Sequence, residues 1–191
     1  MPSPDLTTPD AAAAAGPVAF APGVLVHSRR DRELAAATWL VLAARDRAKA
    51  QHEWATCGVA LLRCAILFSA ARLPAAFVHE AAGTTDRDQV AEFLKAALDG
   101  GPVFYDGDRR YYALTPVSAA RLWRGEGIEW LGSETFLGVP ATDVTGPDPR
   151  CAAYWCVPMD GPAALCQPAA VVRLARRGRA LVEQKEGDSD A

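Results

Sequence analysis

The run Trp54–Ala71, WATCGVALLRCAILFSAA, decides how the fold is read. Its single charged residue is Arg63. A helix that is apolar nearly all round sits at the centre of a core or in a membrane. The run is barely long enough to cross a bilayer, and Arg63 near its middle would cost about 2.5–3.5 kcal/mol there. The residues therefore predict a buried helix from about Glu53 to Leu73, in the core or shared across a dimer interface, and no membrane span.

On either side the pattern stays helical. Ser28 or Asp31 can cap a helix whose stripe is Leu34, Thr38, Val41, Leu42 and Arg45, running to about Ala50. Pro74 opens a short third helix, PAAFVHEAA, that Gly83 stops. In a fourth, Thr85 and Asp88 resemble a capping box, and Val90, Phe93, Leu94, Ala97 and Leu98 share one face before Gly100. Residues 28–100 are thus expected to form a helical half of about four helices.

From Gly101 the period changes. GPVFYDGDRRYYALTP predicts strands at Val103–Tyr105 and Arg110–Leu114, joined by the turn Asp106-Gly107-Asp108. SAARLWRG reads as one or two helical turns. Ile128–Leu131 and Thr135–Val139 predict a second hairpin across Gly132 and Ser133, with Trp130, Phe136 and Val139 or Leu137 inward. A one-residue slip would swap its faces. AAYWCVP adds a strand, and Pro168 starts a last helix reaching Leu181. Helices, then an antiparallel sheet, then a helix give an α+β fold.

The whole chain of 191 residues fits one domain, 28–183, between disordered tails at 1–27 and 184–191. Trimmed to roughly 155 residues, it can bury about two-thirds of its unfolded surface without a disulfide or structural metal. The N-terminal stretch has no basic start and its alanine run is broken by Gly16, Pro17 and Pro22, unlike a secretory signal. A cytoplasmic location follows as the expectation, with the five cysteines as thiols. The net charge of −3 argues against binding driven by a general attraction to nucleic acid.

Several clusters are candidates for chemistry. Cys151, Cys156 and Cys166 have the spacing C-x4-C-x9-C, a weak zinc alternative whose fourth ligand would have to come from far back, such as His79. Buried free thiols are the plainer reading, as for Cys57 and Cys64 on the expected second helix. His27, His52 and His79 match no metal or nucleophile motif and read as structural. Asp106 and Asp108 could hold metal ions as an alternating carboxylate pair, but Gly107 favours a hairpin tip. Arg109 and Arg110, followed by Tyr111-Tyr112, and Arg173, Arg176 and Arg177 on one helix face are candidate nucleic-acid contacts. Positive charge near a helix C-terminus is also stabilising in itself.

GGPVFYDGDRRYYALTP, WLGSETFLGVP and YWCVP together resemble the latter part of the bifunctional DNA primase/polymerase N-terminal domains of actinobacterial and plasmid proteins. The likeness covers Gly101–Pro158. It rests on Leu131, Gly132, Thr135, Phe136, Leu137, Gly138, Val139 and Pro140, with Tyr154-Trp155 at a comparable place. That family uses an acidic pair, a later histidine and a further acid. Here no histidine follows His79, Asp106 and Asp108 fall in a turn, and Trp130-Leu131 replaces a basic strand residue. The resemblance implies a catalytically silent accessory protein that binds DNA or nucleotide. The residues themselves point to a non-enzymatic protein, with no cofactor, that acts through protein–protein contact or self-association.

Overall fold

The computed structural model describes residues 18–21, 24–26, 28–122 and 128–189. It is an α+β fold in which the decisive apolar run is not one helix. Gly58 takes a left-handed φ of 70°, and its N–H bonds back to the carbonyl of Trp54, closing helix α2 (Arg47–Cys57). The chain continues as strands β3 (Val59–Arg63) and β4 (Ser69–Pro74). The expected helix Glu53–Leu73 is therefore corrected to a helix end and two strands. β4 lies inside its sheet with layers on both faces, so Ser69, Ala70, Ala71 and Leu73 are all buried. A strand covered on both sides loses its alternation and reads like a buried helix.

The helix expected over Ser28–Ala50 is also two. Helix α1 (Arg29–Val41) opens on a capping box, with Ser28 Oγ accepting from the Asp31 N–H and Asp31 accepting from the Ser28 N–H. It ends before Asp46, whose carboxylate accepts the Lys49 N–H to start α2. Helix α3 (Ala75–Ala82) ends at Gly83 as expected, and α4 (Arg87–Ala97) is capped by Asp86 instead of Thr85. Strands β5 (Val103–Tyr105) and β6 (Arg110–Thr115) form the expected hairpin, whose Gly107 has φ 86°. Helix α5 (Ala119–Leu122) is short, and Trp123 lies outside the described residues.

Strands β7 (Glu129–Leu131) and β8 (Phe136–Pro140) do not pair with each other, which corrects the second expected hairpin. β7 pairs with β4 and β8 with β3. Two extended stretches, 59–74 and 129–140, thus run antiparallel side by side and break at 64–68 and 132–135. Strand β9 (Tyr154–Val157) completes a five-stranded antiparallel sheet, β7-β4-β6-β5-β9. β3 and β8 form a separate two-stranded ribbon. Helix α6 (Pro168–Ser189) reaches beyond Leu181 into the stretch expected as a tail. Upstream, β1 (Val18–Ala21) and β2 (Val24–Val26) pair within the other expected tail, whose residues 1–17 lie outside the described set.

Three layers result. On one face of the five-stranded sheet, α3, α4 and α6 bury Leu73, Val78, Val90, Leu94, Val103 and Val171. On the other, α1, α2 and the ribbon bury Leu40, Trp54, Leu62, Phe68, Phe104 and Trp155. α6 lies so close to α3 that a Cβ at Gly178 would fall 2.0 Å from the Phe77 carbonyl oxygen. Two indoles fasten β8: Trp54 Nε1 donates to the Val139 carbonyl at 2.9 Å and Trp155 Nε1 to the Pro140 carbonyl at 3.1 Å.

Candidate interaction surface

Asp106 serves its turn. Its Oδ1 accepts the backbone N–H groups of Asp108, Arg109 and Arg110 at 2.9–3.0 Å. A carboxylate oxygen used this way holds the hairpin tip in the manner of an Asx turn. Arg109 is exposed at that tip and lies 3.5 Å from Asp108, and Arg110 is half-buried. Arg173, Arg176 and Arg177 are all exposed along α6. The first pair thus stands at a sheet turn and the other three on a separate helix.

The cysteines sit in different surroundings. Cys151 Sγ donates to the Ala153 carbonyl and Cys166 Sγ to the Pro102 carbonyl. Burial pushes the thiols of Cys156 and Cys166 up to about 12 and that of Cys64 to about 11, so each stays protonated near neutral pH. Cys57 is exposed at the end of α2 and Cys64 is buried beyond β3, so the helical face expected to carry both does not exist. Among the described residues no three of His, Cys, Asp and Glu are grouped to hold a metal ion.

His79 bonds to Tyr111, Nε2 to hydroxyl, at 3.0 Å with the rings edge to face. Burial lowers its pKa from the ordinary 6.5, against a smaller opposing pull from Glu80. Tyr111 stacks at a tilt on Tyr105, which meets Tyr154 edge to face. This aromatic file stiffens that side of the sheet. His52 is exposed on α2, and His27 lies outside the described residues.

A surface that sequence reasoning assigned to the core stands out instead. The ribbon alternates inward Ala60, Leu62, Leu137 and Val139 with outward Leu61, Arg63, Phe136 and Gly138. Phe136 is 50% exposed and Leu61 57%, which corrects the inward assignment of Phe136. Leu34, expected on the inward stripe of α1, is 68% exposed. Three shallow grooves adjoin here. One of about 400 Å³ runs between Leu42, Ile66 and Phe136, with Arg63 and Glu134 at its rim. A second, about 370 Å³, shares Phe136 and Arg45 and adds Leu61 and Glu53. A third shares Leu42 and reaches Leu34 and Trp39. Five of the six large apolar side chains exposed among the described residues lie on this band; the sixth is Leu122. Apolar residues scattered singly on a surface are ordinary, whereas a contiguous band is a contact surface or a liability.

The period-two pattern of β8 could have found the band, since Leu137 and Val139 share one face and Phe136 and Gly138 the other. Nothing in the sequence says which face is covered. No family model, curated protein or solved structure matches the chain, and the likeness of residues 101–158 to primase/polymerase domains rests on those residues alone.

Proposed function

We propose that this is a cytoplasmic protein without a cofactor that works by protein–protein contact, presenting the band from α1 across the ribbon to another polypeptide. The observation that carries this reading is the gathering of Leu34, Leu42, Leu61, Ile66 and Phe136 along adjoining grooves. Ion pairs at the rim, Arg63–Glu134 at 3.4 Å and Lys49–Glu53 at 3.8 Å, match the polar margin that surrounds interface cores. No helix among the described residues is long and apolar enough to cross a membrane, so a membrane-spanning helix does not account for the apolar side chains. The test is a photo-reactive residue placed at Leu42 in cells, with one at exposed Glu92 on α4 as the control. Discrete adducts from position 42, weakened by Ile66→Asp, support the reading. Equal adduct yields at the two positions overturn it.

A second reading, a catalytically silent primase/polymerase relative that binds DNA or nucleotide, draws on the exposure of Arg173, Arg176 and Arg177 along one side of α6. Phosphate contacts of that kind give an affinity that falls steeply with salt. No binding of single- or double-stranded DNA at low salt removes it.

A further inference from the structure

We infer that the occupant of the ribbon is a second copy of this chain, joined to the first through the outer edge of β8. The inference rests on the contact reading above and adds the partner and its register.

The hydrogen bonds show which backbone groups remain for a partner. The Cys64 N–H donates to the Thr135 carbonyl and the Ala141 N–H to the Gly58 carbonyl. In an antiparallel ladder this parity turns Thr135, Leu137, Val139 and Ala141 toward β3. Phe136, Gly138 and Pro140 therefore aim their backbone groups away from it. The Pro140 carbonyl is taken by the Trp155 indole, and proline has no N–H. β3 is covered on its own outer side, where the Arg63 N–H donates to the Ala43 carbonyl and the Leu61 N–H to the Glu53 carboxylate. Among the described residues no strand pairs with the outer side of β8. Uncovered edges normally carry a charge, a proline or a bulge that blocks pairing. The other sheet's edge at β7 has such a guard in Glu129; β8 has one only at its end, in Pro140, which leaves Phe136-Leu137-Gly138 open.

A two-fold axis at Leu137 makes this edge complementary to itself. Antiparallel pairing of β8 with β8 of a second copy then sets each Phe136 opposite Gly138 of the other copy. Both N–H groups and both carbonyls of each edge are used, giving four hydrogen bonds, and Pro140 is left outside the ladder. Gly138 has no side chain on the face that Phe136 shares, so the ring can lie over the glycine opposite, a pairing known to rescue glycine in strands. The result is a four-stranded sheet with Leu61 and Phe136 of both copies on one continuous face. Charge also suits two identical partners. The two grooves beside Phe136 are lined by Arg45, Lys49 and Arg63 and by Asp46, Glu53 and Glu134, so neither sign repels its copy. Isologous contacts of this type are the commonest route to a soluble dimer.

The test is sedimentation velocity over a concentration series reaching millimolar, on the full chain and on Phe136→Asp, Gly138→Pro and Leu34→Asp, with circular dichroism to confirm folding. Hydrogen exchange is read at the Phe136 and Gly138 amides. The expected result is a dimer whose formation slows exchange at both amides, lost in Phe136→Asp and Gly138→Pro and kept in Leu34→Asp. If Gly138→Pro fails to fold, Leu61→Asp takes its place with the same expected loss. A chain that stays monomeric throughout overturns the second copy, and so does a dimer that survives Phe136→Asp. A monomer that still forms the Leu42 adducts with another protein separates this failure from failure of the contact reading.

Discussion

Gly178→Ala sets helix propensity against packing, and the two predict opposite signs. In a helix interior alanine is favoured over glycine by about 1 kcal/mol. At Gly178 the added Cβ would meet the Phe77 carbonyl oxygen at 2.0 Å, the carbonyl carbon at 2.6 Å and Cα at 2.8 Å. All three are backbone atoms of α3, so no side chain can swing aside. Reaching ordinary contact asks α3 and α6 to part by more than an ångström. A gap of only about 0.5–1 Å already forfeits a quarter to a half of the dispersion energy of each facing atom pair. Overpacking costs about 1–3 kcal/mol, and a clash with backbone belongs at the upper end of that range. After the propensity gain, a net loss of about 2 kcal/mol is expected, which lowers Tm by about 4–8 °C in a chain of this size. Gly187 supplies the control, since it lies on the same helix and a Cβ there would meet nothing within 4 Å. Gly187→Ala should melt at or slightly above the parent temperature. A Gly178→Ala variant that melts as high as the parent would refute the close approach of the two helices.

Two further outcomes follow from single side chains. Asp106→Ala removes the acceptor for three backbone N–H groups at the β5–β6 tip, where water can replace it, and should cost about 0.5–1.5 kcal/mol in urea unfolding; an unchanged midpoint would show that the turn holds without it. Asp148 accepts from the Arg150 guanidinium and N–H, which hold its carboxyl down to about 2 from an ordinary 3.8. Between those values the unfolded chain binds a proton that the folded chain does not, so this contribution is full above about pH 4 and is lost as pH falls toward 2. Melting curves of Asp148→Asn against the parent should show a shallower acid decline, and parallel declines would count against the Arg150 contact as its source.

The sheet half is legible where local chemistry decides structure. Asp106-Gly107 marks its hairpin and Pro168 opens α6, because turn residues and helix starts act over a few positions. The run from Trp54 to Ala71 misleads because its composition satisfies two structures equally. Only partner strands distant in sequence, β8 for Val59–Arg63 and β6 and β7 for Ser69–Pro74, decide that these segments extend. The same absence of long-range information misplaces Phe136 and Leu34: alternation or helical spacing shows that a face exists, and tertiary packing determines whether anything covers it. The arginines of α6 are exposed as their charge alone requires, since a guanidinium is kept in water.

The paired indoles have a consequence for how the molecule opens. Trp54 belongs to the helical layer and Trp155 to the main sheet, yet both grip neighbouring carbonyls of one strand. Peeling the ribbon away must strand two buried N–H donors at once, each costing about 1–3 kcal/mol if left unsatisfied. Partial unfolding that frees β8 alone is thereby penalised, and the ribbon is expected to open together with the sheet behind it in hydrogen exchange. The outer edge of β8, where a second copy is proposed to pair, is thereby anchored from behind by two layers at once.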